Sequence, residues 1–141
     1  MSNETNAILN QVIVLLNRSL AAYLADAVPW MGRAGAEVGE SLTAMVKDQQ
    51  QSADRLAEFV LDNGGDVAAG EFPMSFTALH DLSIEFCLKK LLQTQQEAVQ
   101  YLQQAVAALE RAPLAKALVE ETLGSARGHL ETLNELLAAV H

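Results

Sequence analysis

Three histidines, a single cysteine and 18 carboxylates bound the metal and nucleophile chemistry open to this 141-residue chain. Cys87 has no second cysteine with which to form an internal disulfide or a Cys-rich metal site. Either it is a nucleophile or it is a small buried packing residue, and without a second cysteine beside it the expectation is packing. Glu37, Glu40, Glu120, Glu121 and Glu131, with His80 and His141, offer oxygen and imidazole donors for a surface or interfacial metal site. Solvated acidic helix faces are far commoner than such sites. Glu85 and Lys89 have the spacing of an i,i+4 helix pair. His129 lies inside a Leu-rich segment, where an imidazole is either a metal ligand or a core histidine held by hydrogen bonds.

The elements that position these groups follow from composition and punctuation. Half of the chain is hydrophobic, 19% is charged and 5% is aromatic, which suffices for one core and excludes disorder. Eight Gly and three Pro are too few for an all-β chain rich in turns. The net charge of -9 repels phosphate backbones, so no nucleic-acid partner is expected. The N-terminus lacks a basic leader, its first positive residue being Arg18, and the apolar run Ala7 to Leu16 is interrupted by Asn10 and Gln11. A run that short does not span a bilayer, and the expectation is a soluble, cytoplasmic protein without a membrane partner.

Four segments carry helical patterning. The first runs from about Thr5 to Trp30 and ends near Pro29 and the Gly32/Gly35 pair. The second runs from about Ala36 to Asn63 and stops at Gly64-Gly65. The third begins near Thr77 as N-cap and continues to about Ala112, and Pro113 opens the fourth, which reaches His141. Helices one and two, and helices three and four, have short linkers and should form antiparallel hairpins. The stretch from Gly64 to Phe76 is long enough to cross along the bundle and set helices two and three parallel. The expected fold is an all-α, up-down-down-up four-helix bundle with one long crossover, in a single domain.

Steps of four and three trace a seam on every helix. It runs Leu9, Ile13, Leu16, Leu20, Tyr23, Ala27, Trp30 on helix one and Val38, Leu42, Met45, Gln49, Ser52, Leu56, Phe59 on helix two. On helix three it runs from Ile84 and Leu88 through Gln95 to Leu109, and on helix four from Val119 through Ala126 and His129 to Val140. The seam is apolar at the ends and polar or small in the middle. Tyr23, Gln49, Ser52, Gln95, Ala126 and His129 are therefore expected to share a central layer. Buried polar groups cost about 1–3 kcal/mol each when unsatisfied, so such a layer needs internal partners or a ligand. Gln49 and Gln95 could bond each other, trap a water or hold a small polar ligand, and Tyr23 could serve as packing with its hydroxyl satisfied.

Two short motifs carry a resemblance. Ser52-Ala53-Asp54-Arg55-Leu56-Ala57-Glu58, with the Gly64-Gly65 ending, and Gly128-His129-Leu130-Glu131-Thr132-Leu133 resemble segments of the ferritin-like superfamily, nearest to the bacterioferritin type. The resemblance implies a ferritin-like bundle in which inward Glu and His residues hold two irons. In this chain those positions fall on Tyr23, Gln49, Ser52, Gln95, Ala126 and His129, and only the histidine matches. The haem-binding Met of bacterioferritins falls near Gln50, so no haem is implied. Two hard iron cations need several anionic oxygens, which amides, hydroxyls and one imidazole do not supply. The expectation is a bundle with a degenerate di-iron layer, no cofactor, no metal and no catalytic residue. Such a protein would act structurally, by interaction, or by binding a small ligand. The alternative is a metal-binding oxidase or storage protein whose ligands have moved. Helix one also carries Ile8, Val12, Val14, Leu15, Leu24 and Val28 beside its seam, and this wide apolar surface points to a homodimer through helix one.

Overall fold

A computed structural model of the chain describes residues 2–25, 33–79 and 83–140. The expected end of helix one at Pro29, Trp30 and Gly32, its residues Ala27 and Val28, and both His80 and His141 lie outside the described residues. Among the described residues five α-helices are present: α1 (Asn3–Asn17), α2 (Leu20–Leu24), α3 (Arg33–Asp62), α4 (Ile84–Ala108) and α5 (Pro113–Val140). Among the described residues there is no strand, and the fold is all-α.

Serine side chains start three of these helices. Ser2, Ser19 and Ser83 each accept from a backbone N–H three residues on, at 3.1, 3.1 and 3.3 Å. Two expectations are corrected here. Helix one is not continuous: α1 ends at Asn17 and α2 restarts on Ser19, because the Ser19 hydroxyl competes for the Ala22 N–H and its own backbone is extended. Thr77 does not cap helix three. It sits in a 3-10 turn (Met74–Leu79), and α4 starts later, on Ser83 with Glu85 in the first turn. Pro113 opens the last helix as expected, after a turn through Leu109 and Ala112.

Two clusters of buried side chains fix the topology. One joins Leu9, Ile13 and Leu16 of α1 to Leu56 and Val60 of α3, Leu102 of α4 and its C-cap Leu109, and Ala115 and Val119 of α5. The other joins Leu20 and Leu24 of α2 to Val38, Leu42 and Met45, then to Leu88 and Leu91, and to Leu133. Low-numbered residues of α3 thus meet low-numbered residues of α4, so these two helices are parallel, while α1–α2 opposes α3 and α4 opposes α5. The order is up-down-down-up.

The crossover accompanies helix one along its length. Asn10 donates from Nδ2 to the Asp66 carbonyl and accepts at Oδ1 from the Ala68 N–H, both at 2.7 Å. Arg18 donates from Nε to the Ala69 carbonyl at 3.3 Å and lies 5.1 Å from the Phe72 ring centre. Between these anchors Gly70, at φ +66°, passes so close to Val14 that a Cβ on it would stand 2.5 Å from a Val14 methyl. The route explains the wide apolar surface of helix one. Val12 and Leu24 are buried in the core, Ile8 and Leu15 pack against it, and Val14 is met by the crossover. No helix-one residue is among the exposed large hydrophobic side chains described. Asn3–Leu24 is also long and apolar enough, by length and composition, to cross a membrane, which corrects the shorter Ala7–Leu16 reading. In this fold it is a core helix, broken at Ser19.

Candidate functional site

The central layer forms where helix one breaks. At that height α1–α2 packs on α3 but stands away from α4, and a cleft of about 820 Å³ opens between them. Residues of α1–α2 and α4 make its walls, the crossover residues Ala68, Pro73 and Phe76 cover it, and α3 and α5 form its floor. Most of the lining is apolar.

Five of the six expected layer residues, Gln49, Ser52, Gln95, Ala126 and His129, line this cleft. Tyr23 does not. Its ring lies 5.4 Å from Phe72 and 5.6 Å from Phe76, packed with the crossover aromatics. The place opposite Gln49 belongs to Ser19, four residues earlier, whose hydroxyl donates to Gln49 Oε1 at 2.8 Å. Leu20, counted through the break, is still buried on the seam, whereas Tyr23, the next seam position, turns to the crossover aromatics.

Gln49 and Gln95 do not bond each other. Gln95 donates from Nε2 to the Ala126 carbonyl at 3.0 Å, which fixes its Oε1 as the free acceptor because a carbonyl can only accept. Gln49 is 6% exposed and Gln95 9%. Neither the Gln49 amide nitrogen nor Gln95 Oε1 has a protein partner among the described residues. Thr122, also on the floor, returns its hydroxyl to the Leu118 carbonyl at 3.0 Å. At the mouth Tyr101 donates to Gln11 Oε1, and burial pushes its phenol above the ordinary range.

His129 is a hydrogen-bonded histidine. Its Nε2 lies 2.7 Å from Asp48 Oδ2, and its side chain is 13% exposed against 44% for Asp48. Sequence reasoning missed both Asp48 and Ser19. Asp48 is 81 residues from His129 and off the helix-two seam, so no local signal marks it. Ser19 did carry a signal, as a serine before a short helical stretch, but the apolar pattern ran on across it.

An iron pair does not fit this donor set. The layer supplies two amides, hydroxyls and one imidazole already tied to Asp48. Glu71 and Glu97, the carboxylates lining the cleft, are both exposed. Among the described residues no three His, Cys, Asp or Glu side chains gather closely enough to hold a metal ion. Glu37, Glu40, Glu120, Glu121 and Glu131 all lie on solvent faces, and Glu121 is engaged by Arg55 at 3.1 Å. Cys87 is fully buried in the second core cluster, and burial pushes its thiol up, which disfavours the thiolate a nucleophile needs.

A family model described as a ferritin-like domain matches residues 6–140. No curated protein matches the chain.

Proposed function

The chain belongs to the ferritin-like domain family, and we propose that it is a non-catalytic member that works by binding rather than by oxidising iron. One observation carries this reading. The single imidazole of the central layer is held by Asp48, and the remaining polar groups there are neutral. Ferroxidase chemistry needs two metals bridged by carboxylates in a low-dielectric core, because clustered anions both ligate the irons and offset their charge. Amides and hydroxyls do neither. A buried layer of neutral groups around an open cleft is instead suited to holding a small molecule through hydrogen bonds and apolar contact.

The test is iron itself. Purified protein is mixed with two equivalents of Fe(II) in air, and the ferric absorbance and the bound iron are measured after desalting. Oxidation no faster than in protein-free buffer, with no stoichiometric iron retained, is the expected result. Two irons per chain with rapid oxidation would overturn the reading and establish that metal ligands have been recruited elsewhere in the bundle.

A further inference from the structure

We infer that the cleft between α1–α2 and α4 is a site for a neutral, elongated, mostly apolar molecule bearing one group that both donates and accepts a hydrogen bond, such as a carboxamide or lactam. The inference deepens the proposed binding function and rests on it.

Two open polar ends at the bottom of the cleft carry it. Gln49 accepts from Ser19, which leaves its amide N–H groups as donors. Gln95 gives its own N–H to the Ala126 carbonyl, which leaves Oε1 as an acceptor. Both side chains are more than nine-tenths buried and both line the cleft. A donor and an acceptor in one mostly apolar cleft match a ligand group that offers the reverse pair, as an amide does. The two glutamines are also oriented in advance by their protein bonds, so a ligand need not order them.

Charge argues against ionised ligands. The carboxylates lining the cleft, Glu71 and Glu97, are exposed, and Asp48, next to Gln49 in sequence, is engaged by His129 at 2.7 Å, so no buried carboxylate among the lining residues is there to meet a cation. An anion would look to Arg18, yet that guanidinium is committed to the Ala69 carbonyl and the Phe72 ring, and the whole chain carries -9. The shape sets the rest of the ligand. Leu91 and Leu102 both line the cleft, and their separation along α4 corresponds to about 16 Å at ~1.5 Å per residue. A volume of about 820 Å³ is within the range of pockets that enclose organic ligands of cofactor size.

Titration calorimetry with decanamide, decanoate and decylammonium below their aggregation limits tests the assignment. Saturable one-to-one binding of decanamide, at least about tenfold tighter than either charged congener, is expected. Absence of saturable decanamide binding, or equal affinity for a charged congener, overturns it. Gln95→Leu should weaken decanamide by about tenfold through loss of the acceptor. Ala98→Phe, which fills the cleft from α4, should abolish binding and covers the case in which Gln95→Leu fails to fold. A folded Ala98→Phe protein that binds decanamide as wild type does would refute the location. Rapid stoichiometric iron oxidation with decanamide binding intact would sink the preceding functional reading alone. Neither iron nor decanamide bound would sink this inference alone.

Discussion

Replacing Gly70 with alanine probes how firmly the crossover is seated on helix one. Two costs add at this position. The backbone is left-handed at φ +66°, where a residue with a Cβ is disfavoured by about 1–2 kcal/mol. The new Cβ would also stand 2.5 and 2.8 Å from the two Val14 methyls, an overlap of the kind that costs about 1–3 kcal/mol in a well-packed site. Together they give about 3 kcal/mol, or a fall in Tm of about 10 °C for a chain of this size. Gly64 is the internal control. It too is left-handed, at φ +81°, but nothing lies within 4 Å of its Cβ position. Gly64→Ala should therefore cost only the backbone part, about 1 kcal/mol and some 4 °C. Thermal melts followed by circular dichroism separate the two. Truncating Val14 to alanine in the Gly70→Ala background should recover about 1–2 kcal/mol of the loss as a coupling energy. Equal destabilisation by Gly64→Ala and Gly70→Ala, or strict additivity of the Val14 and Gly70 changes, would refute the close seating.

Val14→Asp should destabilise the chain by about 2 kcal/mol at every protein concentration, because it sets a charge on a half-buried position against the chain's own crossover. Sedimentation together with thermal melting checks this, and a loss of self-association without a loss of Tm would show that Val14 meets a second copy instead. Stability should also fall at alkaline pH. Burial raises both Cys87 and Tyr101, so the unfolded chain gives up these protons first, near 9.0 and 10.0. Their contribution is intact below pH 9 and is lost as pH rises through the thiol and phenol range. Urea midpoints measured from pH 7 to 10.5 should show this decline, and Cys87→Ala should remove its earlier part; an unchanged profile in that variant would exclude the thiol as its source.

The legible parts of this fold were those written in short-range spacing. Leu9, Ile13, Leu16 and Leu20, and Val38, Leu42, Met45, Gln49, Ser52 and Leu56, are all buried where a four-three seam places them. The pairing of helices and the long crossover followed from linker length alone. What could not be read locally was decided by distant partners. Tyr23 fits the seam by spacing, yet Phe72 and Phe76 draw it to the crossover. Thr77 and Ser83 are both acceptable helix caps, but the Thr77 hydroxyl returns to the Met74 carbonyl in a 3-10 turn, and Ser83 is the one that accepts from the first turn of α4. The same holds for the site. Five residues that line the cleft share a heptad height, whereas Asp48 reaches His129 from another helix with no spacing rule to announce it.

The course of the crossover bears on the order in which the chain assembles. α4 and α5 meet across a four-residue turn, but the contacts of the crossover with helix one join residues 51 to 58 apart, from Arg18 with Ala69 to Asn10 with Ala68. Loop closure over such distances is entropically costly and is rewarded only once its docking surface exists. The α4–α5 hairpin gathers early on this basis, and the crossover settles last, onto a helix one already laid against α3. Because crossover residues also line the cleft, a chain halted one step short of the native state would hold a complete four-helix core and an uncovered cleft. The cover of the cleft is thus the latest part of the molecule to mature.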